Sequence, residues 1–191
     1  MRFRGHVLIM LLFVLFIVEG TIIPWLIPGG WQYRLSSNLV FIIILFVSVY
    51  YHRHTALVLG IIFGLLHDII FYGAMIGPYS FAMGCAAYLM GLIFQAPRAP
   101  MPIMMTVVLL GSLLFDSTLF GIYQLFQLNV HSFNWALTQY MIPNLCVHFL
   151  FALIIYVPMR KQFELLGGRP KKEENVKLHV LFFFGTATQK L

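Results

Sequence analysis

The sequence predicts an all-α integral membrane protein with six transmembrane helices and both termini in the cytoplasm, and three observations carry that prediction. The first is composition: 61% of the 191 residues are hydrophobic and only 9% are charged, with a mean hydropathy of +0.90. Soluble domains carry about 25% charged and 45–50% apolar residues, so lipid is the solvent for most of this chain. The second is the gathering of apolar residues into six stretches. The third is a one-sided distribution of Lys and Arg.

A spanning helix needs about 20 mostly apolar residues, within a range near 17–25. The first stretch, residues 6–27, follows Met1-Arg2-Phe3-Arg4 and continues through Glu19. That is longer than a signal peptide's apolar region and lacks a small-x-small cleavage site, so it reads as a retained helix. Pro24, Pro28, Gly29 and Gly30 end it. The second stretch, 35–51, is unbroken only from Leu39 to Tyr51 and is either a short span or a re-entrant segment. Stretches 55–73, 78–96, 103–126 and 135–157 follow, with Pro97, Pro100 and Pro102 marking the fourth connection.

Charge favours counting the second stretch as a span. Six spans with the N-terminus inside leave Arg34 as the one basic residue outside and put the other eleven of 12 inside. Omitting the second span would send Arg53 and the basic tail to the wrong side. Trp25, Trp31, Tyr33, Tyr72, Tyr79 and Trp135 then lie near outer helix ends, as an interfacial aromatic belt requires.

The membrane domain is expected over residues 1–158, followed by a basic cytoplasmic tail over 159–177. Residues 178–191 turn apolar again but are too few to span, and they enter no functional argument. A net charge of +6 is compatible with nucleic-acid binding, but these charges sit in short connections and the tail, where they suit anionic lipid headgroups. Cys85 and Cys146 lie in apolar runs, without disulfide or metal-ligand spacing, and read as small packing residues.

Three acids interrupt the spans: Glu19, Asp68 and Asp116. A charge at the bilayer centre costs about 2.5–3.5 kcal/mol, so such residues face protein. Each lies about 20 Å from the cytoplasmic start of its helix, which puts all three at one level in the outer half. Tyr140, Asn144 and His148 form a polar line on one face of the last helix. The expectation is a buried polar cluster uniting Glu19, Asp68, Asp116 and Asn144, with His148 deeper; the alternative is that each acid is satisfied alone.

Small residues mark packing faces. Gly60, Gly64 and Asp68 recur every four residues, and Gly77, Ser80, Gly84, Ala87 and Gly91 alternate spacings of three and four. Such stripes allow close backbone approach, either within the bundle or to a partner's helix. Catalytic patterns are absent: the sequence has no H-E-x-x-H and no G-x-S-x-G. Asp68 and Asp116 lack the Gly-x-Gly-Asp setting of intramembrane aspartyl proteases. His52-Arg53-His54 reads as a cytoplasmic turn, with no Cys or carboxylate nearby to complete a metal site. No enzymatic activity, cofactor or metal is expected.

The run Gly60-Ile61-Ile62-Phe63-Gly64-Leu65-Leu66-His67-Asp68, then Gly77 and Tyr88-Leu89-Met90-Gly91, resembles the MreD family of rod shape-determining proteins. Glu19-Gly20, Pro143-Asn144, the chain length and the basic C-terminal region fit the same pattern, and the Phe-Gly-x-x-x-Asp core is similar to that of Gram-positive rods. The resemblance covers about residues 6–165. It implies a non-catalytic scaffold subunit of the cell-elongation machinery that binds the membrane-anchored protein MreC. Through MreC it would link MreB filaments to a SEDS-type glycosyltransferase and a penicillin-binding transpeptidase, without nucleic acid. It also implies a fold similar to the substrate-binding membrane subunits of energy-coupling-factor transporters. A vitamin-binding subunit of that kind is the alternative, although residues 6–28 lack the Ala-rich docking face usual there.

Overall fold

The computed structural model describes residues 2–21, 38–71, 75–96, 99–128 and 132–166. They form six helices: α1 (Arg2–Thr21), α2 (Leu39–Tyr50), α3 (Arg53–Ile70), α4 (Pro78–Ile93), α5 (Met101–Leu125) and α6. The last starts at Phe133–Ala136, passes through a π-helical turn at Leu137–Met141 and continues as Ile142–Leu166. Each expected stretch therefore contains a helix. Residues 22–27 of the first, 35–37 of the second and 72–73 of the third lie outside the described residues. α6 runs past residue 158, so the start of the expected tail is helical.

α2 departs most from its expected form. It has only 12 residues, and all of them are buried. At a rise of 1.5 Å per residue that is about 18 Å of helix, against a hydrocarbon core of about 30 Å. It touches each of the other five helices and so forms the axis of the bundle. A helix that is apolar all round is a buried helix, and Leu-Val-Phe-Ile-Ile-Ile-Leu-Phe-Val fits that description. Phe41 stacks on Phe115 of α5 at 4.7 Å between ring centroids. Ser48, in its last turn, donates its hydroxyl to the Ala87 carbonyl of α4.

The most extensive helix contact is α3 with α4, and glycines make it possible. A Cβ on Gly60 would lie 2.9 Å from Gly84 Cα, and one on Gly64 only 2.5 Å from Ser80 Cα. Further along α4, Gly91 passes Ser48 of α2 and Arg53 of α3. The small-residue stripe is thus engaged inside the molecule, from Ser80 and Gly84 against α3 to Ala87 and Gly91 against α2. α1 leans on α3 through edge-on rings, Phe13 and Phe16 against Phe63 and Phe16 against Phe71.

Successive helices run antiparallel. One end of the bundle gathers the ends of α2, α4 and α6 with the starts of α3 and α5. There Ala96 N–H donates to Val49 O at 3.2 Å. The Ala99 carbonyl takes the Tyr50 hydroxyl at 2.9 Å and the Tyr156 hydroxyl at 3.5 Å. Arg160 donates to Tyr156, and Arg53 lies over the Tyr88 ring. This basic end is tied by aromatic hydroxyls. The lateral surface is apolar instead, with Met10 and Ile17 of α1, Ile61 and Ile69 of α3 and Ile154 of α6 all exposed.

Candidate functional site

Toward the opposite end lie the polar side chains, and the structure buries Glu19, Asp68, Asp116, Asn144 and His148. They do not form one cluster. Two of the acids serve the starts of neighbouring helices, and the third lies in a ladder between α5 and α6.

Glu19, near the end of α1, reaches the first turn of α2. Its Oε2 accepts the Val40 N–H at 3.2 Å, with the Leu39 N–H beside it. The first N–H groups of a helix have no partner within it, and a carboxylate there also meets the positive end of the helix dipole. The start of α2 is buried in the bundle, away from bulk water, and α1 supplies the missing acceptor. Glu19 Oε1 stands 3.9 Å from His67 Nε2. The His67 ring in turn stacks on Tyr79 at 4.1 Å and 15°.

Asp68 performs the same service for α4. Its Oδ2 accepts the Gly77 N–H at 2.9 Å and the Ser80 N–H at 3.5 Å. Pro78, between them, has no N–H to satisfy. Gly77 adopts φ +119°, a backbone region that is open to glycine and strained for other residues. The Ser80 hydroxyl closes the corner by donating to Ile61 O at 2.9 Å. His67 and Asp68 are adjacent on α3: Asp68 caps α4 directly, while His67 stacks on Tyr79 of α4 and lies beside Glu19, the residue of α1 that caps α2. The third helix therefore holds the fourth directly and borders the residue that holds the second.

The ladder has two rungs. His148 Nδ1 and Ser112 Oγ are 2.9 Å apart, and the Asn38 N–H donates to His148 Nε2 at 3.2 Å. A backbone N–H can only donate, so Nε2 is the acceptor and Nδ1 carries the proton toward Ser112. One turn along both helices, Asp116 faces Asn144, although neither Asp116 oxygen has a well-formed hydrogen bond among the described residues. Ser112 and Asp116 are four apart on α5, as are Asn144 and His148 on α6, and antiparallel packing brings the pairs into register. Tyr140 stands apart from this line, inside the π-helical turn and against the Phe120–Ala136–Met141 cluster. Pro143 accounts for that turn: it has no N–H and crowds the carbonyl four residues back, so the backbone takes the wider turn before it.

Other expectations are corrected or fall outside the described residues. Tyr79 is not an interfacial belt residue, because it stacks inward on His67 and edge-on to Phe115. Trp135 is exposed; Trp25, Trp31, Tyr33 and Tyr72 lie outside the described residues. Cys146 is exposed on α6 rather than packed. Three partners escaped the sequence reading: His67, Ser112 and Asn38. Matched i, i+4 polar pairs on α5 and α6 could have revealed Ser112, whereas nothing local marks Asn38. Among the described residues no three His, Cys, Asp or Glu side chains gather as metal ligands.

Apolar helices with an apolar outer surface, closed over buried acids of which two cap neighbouring helices, define a helical-bundle membrane protein. The chain belongs to the MreD family of rod shape-determining proteins, whose family model matches residues 1–166. That match includes every described helix. The rod shape-determining protein MreD of Bacillus subtilis (strain 168) is 26% identical over 139 residues, covering 73% of this chain and 80% of the relative. No solved structure matches the chain.

Proposed function

We propose that this protein is a non-catalytic, multi-pass scaffold subunit of the bacterial cell-elongation complex, crossing the cell membrane six times with both termini in the cytoplasm. The observation that carries this reading is the family match across the whole helical bundle. The geometry supports it, because the buried acids are engaged in holding helix starts and ladder rungs. Such groups stabilise an assembly; they do not turn over a substrate.

In this reading the chain binds MreC through its outer loops and helix flanks. MreC then connects it to MreB filaments on one side and to the glycosyltransferase and transpeptidase of peptidoglycan synthesis on the other. The basic end, with Arg53, Arg160 and Lys161, faces the cytoplasm and the anionic headgroups of its leaflet. α2 counts as a span through its position at the axis of the bundle.

Depletion in the protein's own rod-shaped host tests the reading. Cells should round up while vitamin uptake is unchanged, and MreC should co-purify with the tagged protein in mild detergent. Retained rod shape with impaired vitamin uptake would instead establish a transporter subunit.

A further inference from the structure

We propose that a small group of ordered water molecules is built into the bundle between Asn38, Asp116 and the Ser112–His148 pair, as a bound component of the fold. Asn38 is fully buried and Asp116 is 1% exposed. Among the described residues, neither polar atom of the Asn38 amide has a hydrogen-bond partner, and Asp116, which faces Asn144 across the ladder, makes no well-formed hydrogen bond through either oxygen. These are strong hydrogen-bonding groups, and natural interiors leave few such groups unmet.

The two side chains lie in the same part of the core. Asn38 is fixed by its backbone N–H to His148, which bonds Ser112. Asp116 lies one turn from Ser112 on the same helix, about 5.4 Å along the axis. Phe41, one turn into α2 from Asn38, stacks on Phe115, the residue beside Asp116.

The mixture of unmet groups identifies the ligand. The Asn38 Nδ2 needs an acceptor, while Asn38 Oδ1 and the Asp116 carboxyl need donors beyond the facing Asn144 amide. A metal cation serves only the oxygens and leaves Nδ2 unmet. An anion serves only Nδ2 and is repelled by the carboxylate. Water donates and accepts from one position, and buried waters typically make about three hydrogen bonds of this kind. Asp68 Oδ1 is also unpartnered, but it belongs to the α4 cap and lies outside this group.

The test combines structure, radiolysis and stability, all on the full chain in lipid nanodiscs. Density at water-resolving resolution should show peaks within hydrogen-bond distance of both Asp116 and the Asn38 amide. X-ray hydroxyl-radical labelling should mark Phe41 and Phe115 although both are fully buried, and Asp116→Leu should abolish that labelling. Asp116→Asn should keep the labelling and the melting temperature, whereas Asp116→Leu should lower the melting temperature. Any of four results overturns the proposal: unlabelled Phe41 and Phe115 in the unsubstituted protein, a higher melting temperature for Asp116→Leu, anomalous density from exchanged thallium at Asp116, or a donor from residues 22–37 bonded to its oxygens.

Discussion

Asp68 shows how an intramembrane acid can be structural without forming an ion pair. It gives α4 the acceptor that a local Ser, Thr, Asp or Asn usually supplies at a helix start; here that position is Gly77, which has no side chain to offer. Asp68→Ala should destabilise the protein by about 1–3 kcal/mol, the cost of stranding buried donors. Asp68→Asn keeps a carbonyl oxygen at the same place and should retain most of the stability. Thermal unfolding in detergent, read by tryptophan fluorescence, separates the two. Gly64 makes a second residue-scale prediction. A methyl there would meet the Ser80 backbone at 2.5 Å, where no flexible side chain can yield. Gly64→Ala should therefore cost about 1–3 kcal/mol by overpacking, whereas Gly121, with nothing within 4 Å of its added Cβ, should accept Ala without loss.

Among the elements, α5 ends in a motif that predicts a gain. The Leu128 N–H bonds Tyr123 O and the Gln127 N–H bonds Gln124 O, the paired pattern of a Schellman cap. Gln127 occupies the left-handed position, φ 56°, where glycine is usual. Gln127→Gly should raise stability by about 0.5–1 kcal/mol, relief of backbone strain being partly offset by the chain entropy of glycine. The melting temperature checks it. Much of this architecture could be read from sequence, and the limits have physical causes. All six helices announced themselves by apolar length, and Gly60, Gly64 and Gly84 by their spacing. The helix starts did not, because their acceptors come from other helices: Glu19 serves α2 and Asp68 serves α4 only after folding. α2 seemed weak as a span for the same reason that it is central. Its short, uniform apolarity measures burial by protein on every side, which hydropathy cannot distinguish from burial by lipid. The Asn144–His148 line was legible, but its Ser112 partner depended on an antiparallel register that no local pattern contains.

For the whole molecule, the proposed six-span arrangement makes a directional prediction. In a variant whose native cysteines are replaced by Ala, a single Cys at His54 should react with a membrane-impermeant maleimide only after the cytoplasmic side is opened. A Cys at Ser132 should react in intact spheroplasts. The reverse pattern would invert the topology, and labelling of both positions from one side would remove a span. The basic end, tied through Tyr50, Tyr156 and Arg160, should be the more rigid of the two under hydrogen exchange.

The central position of α2 also bears on how the protein is made. Its neighbours include α4, α5 and α6, all of which leave the ribosome after it. During synthesis α2 is therefore a helix of about 18 Å, shorter than the hydrocarbon core of about 30 Å, with only α1 and α3 for company. Among the described residues the backbone donor at Asn38 waits longest, because its acceptor, His148, is in the last described helix to emerge. Closure of the bundle is thus a late event that only α6 can complete. Nascent chains arrested before Phe133 should remain open to quality-control proteases, and full-length chains should abruptly become resistant.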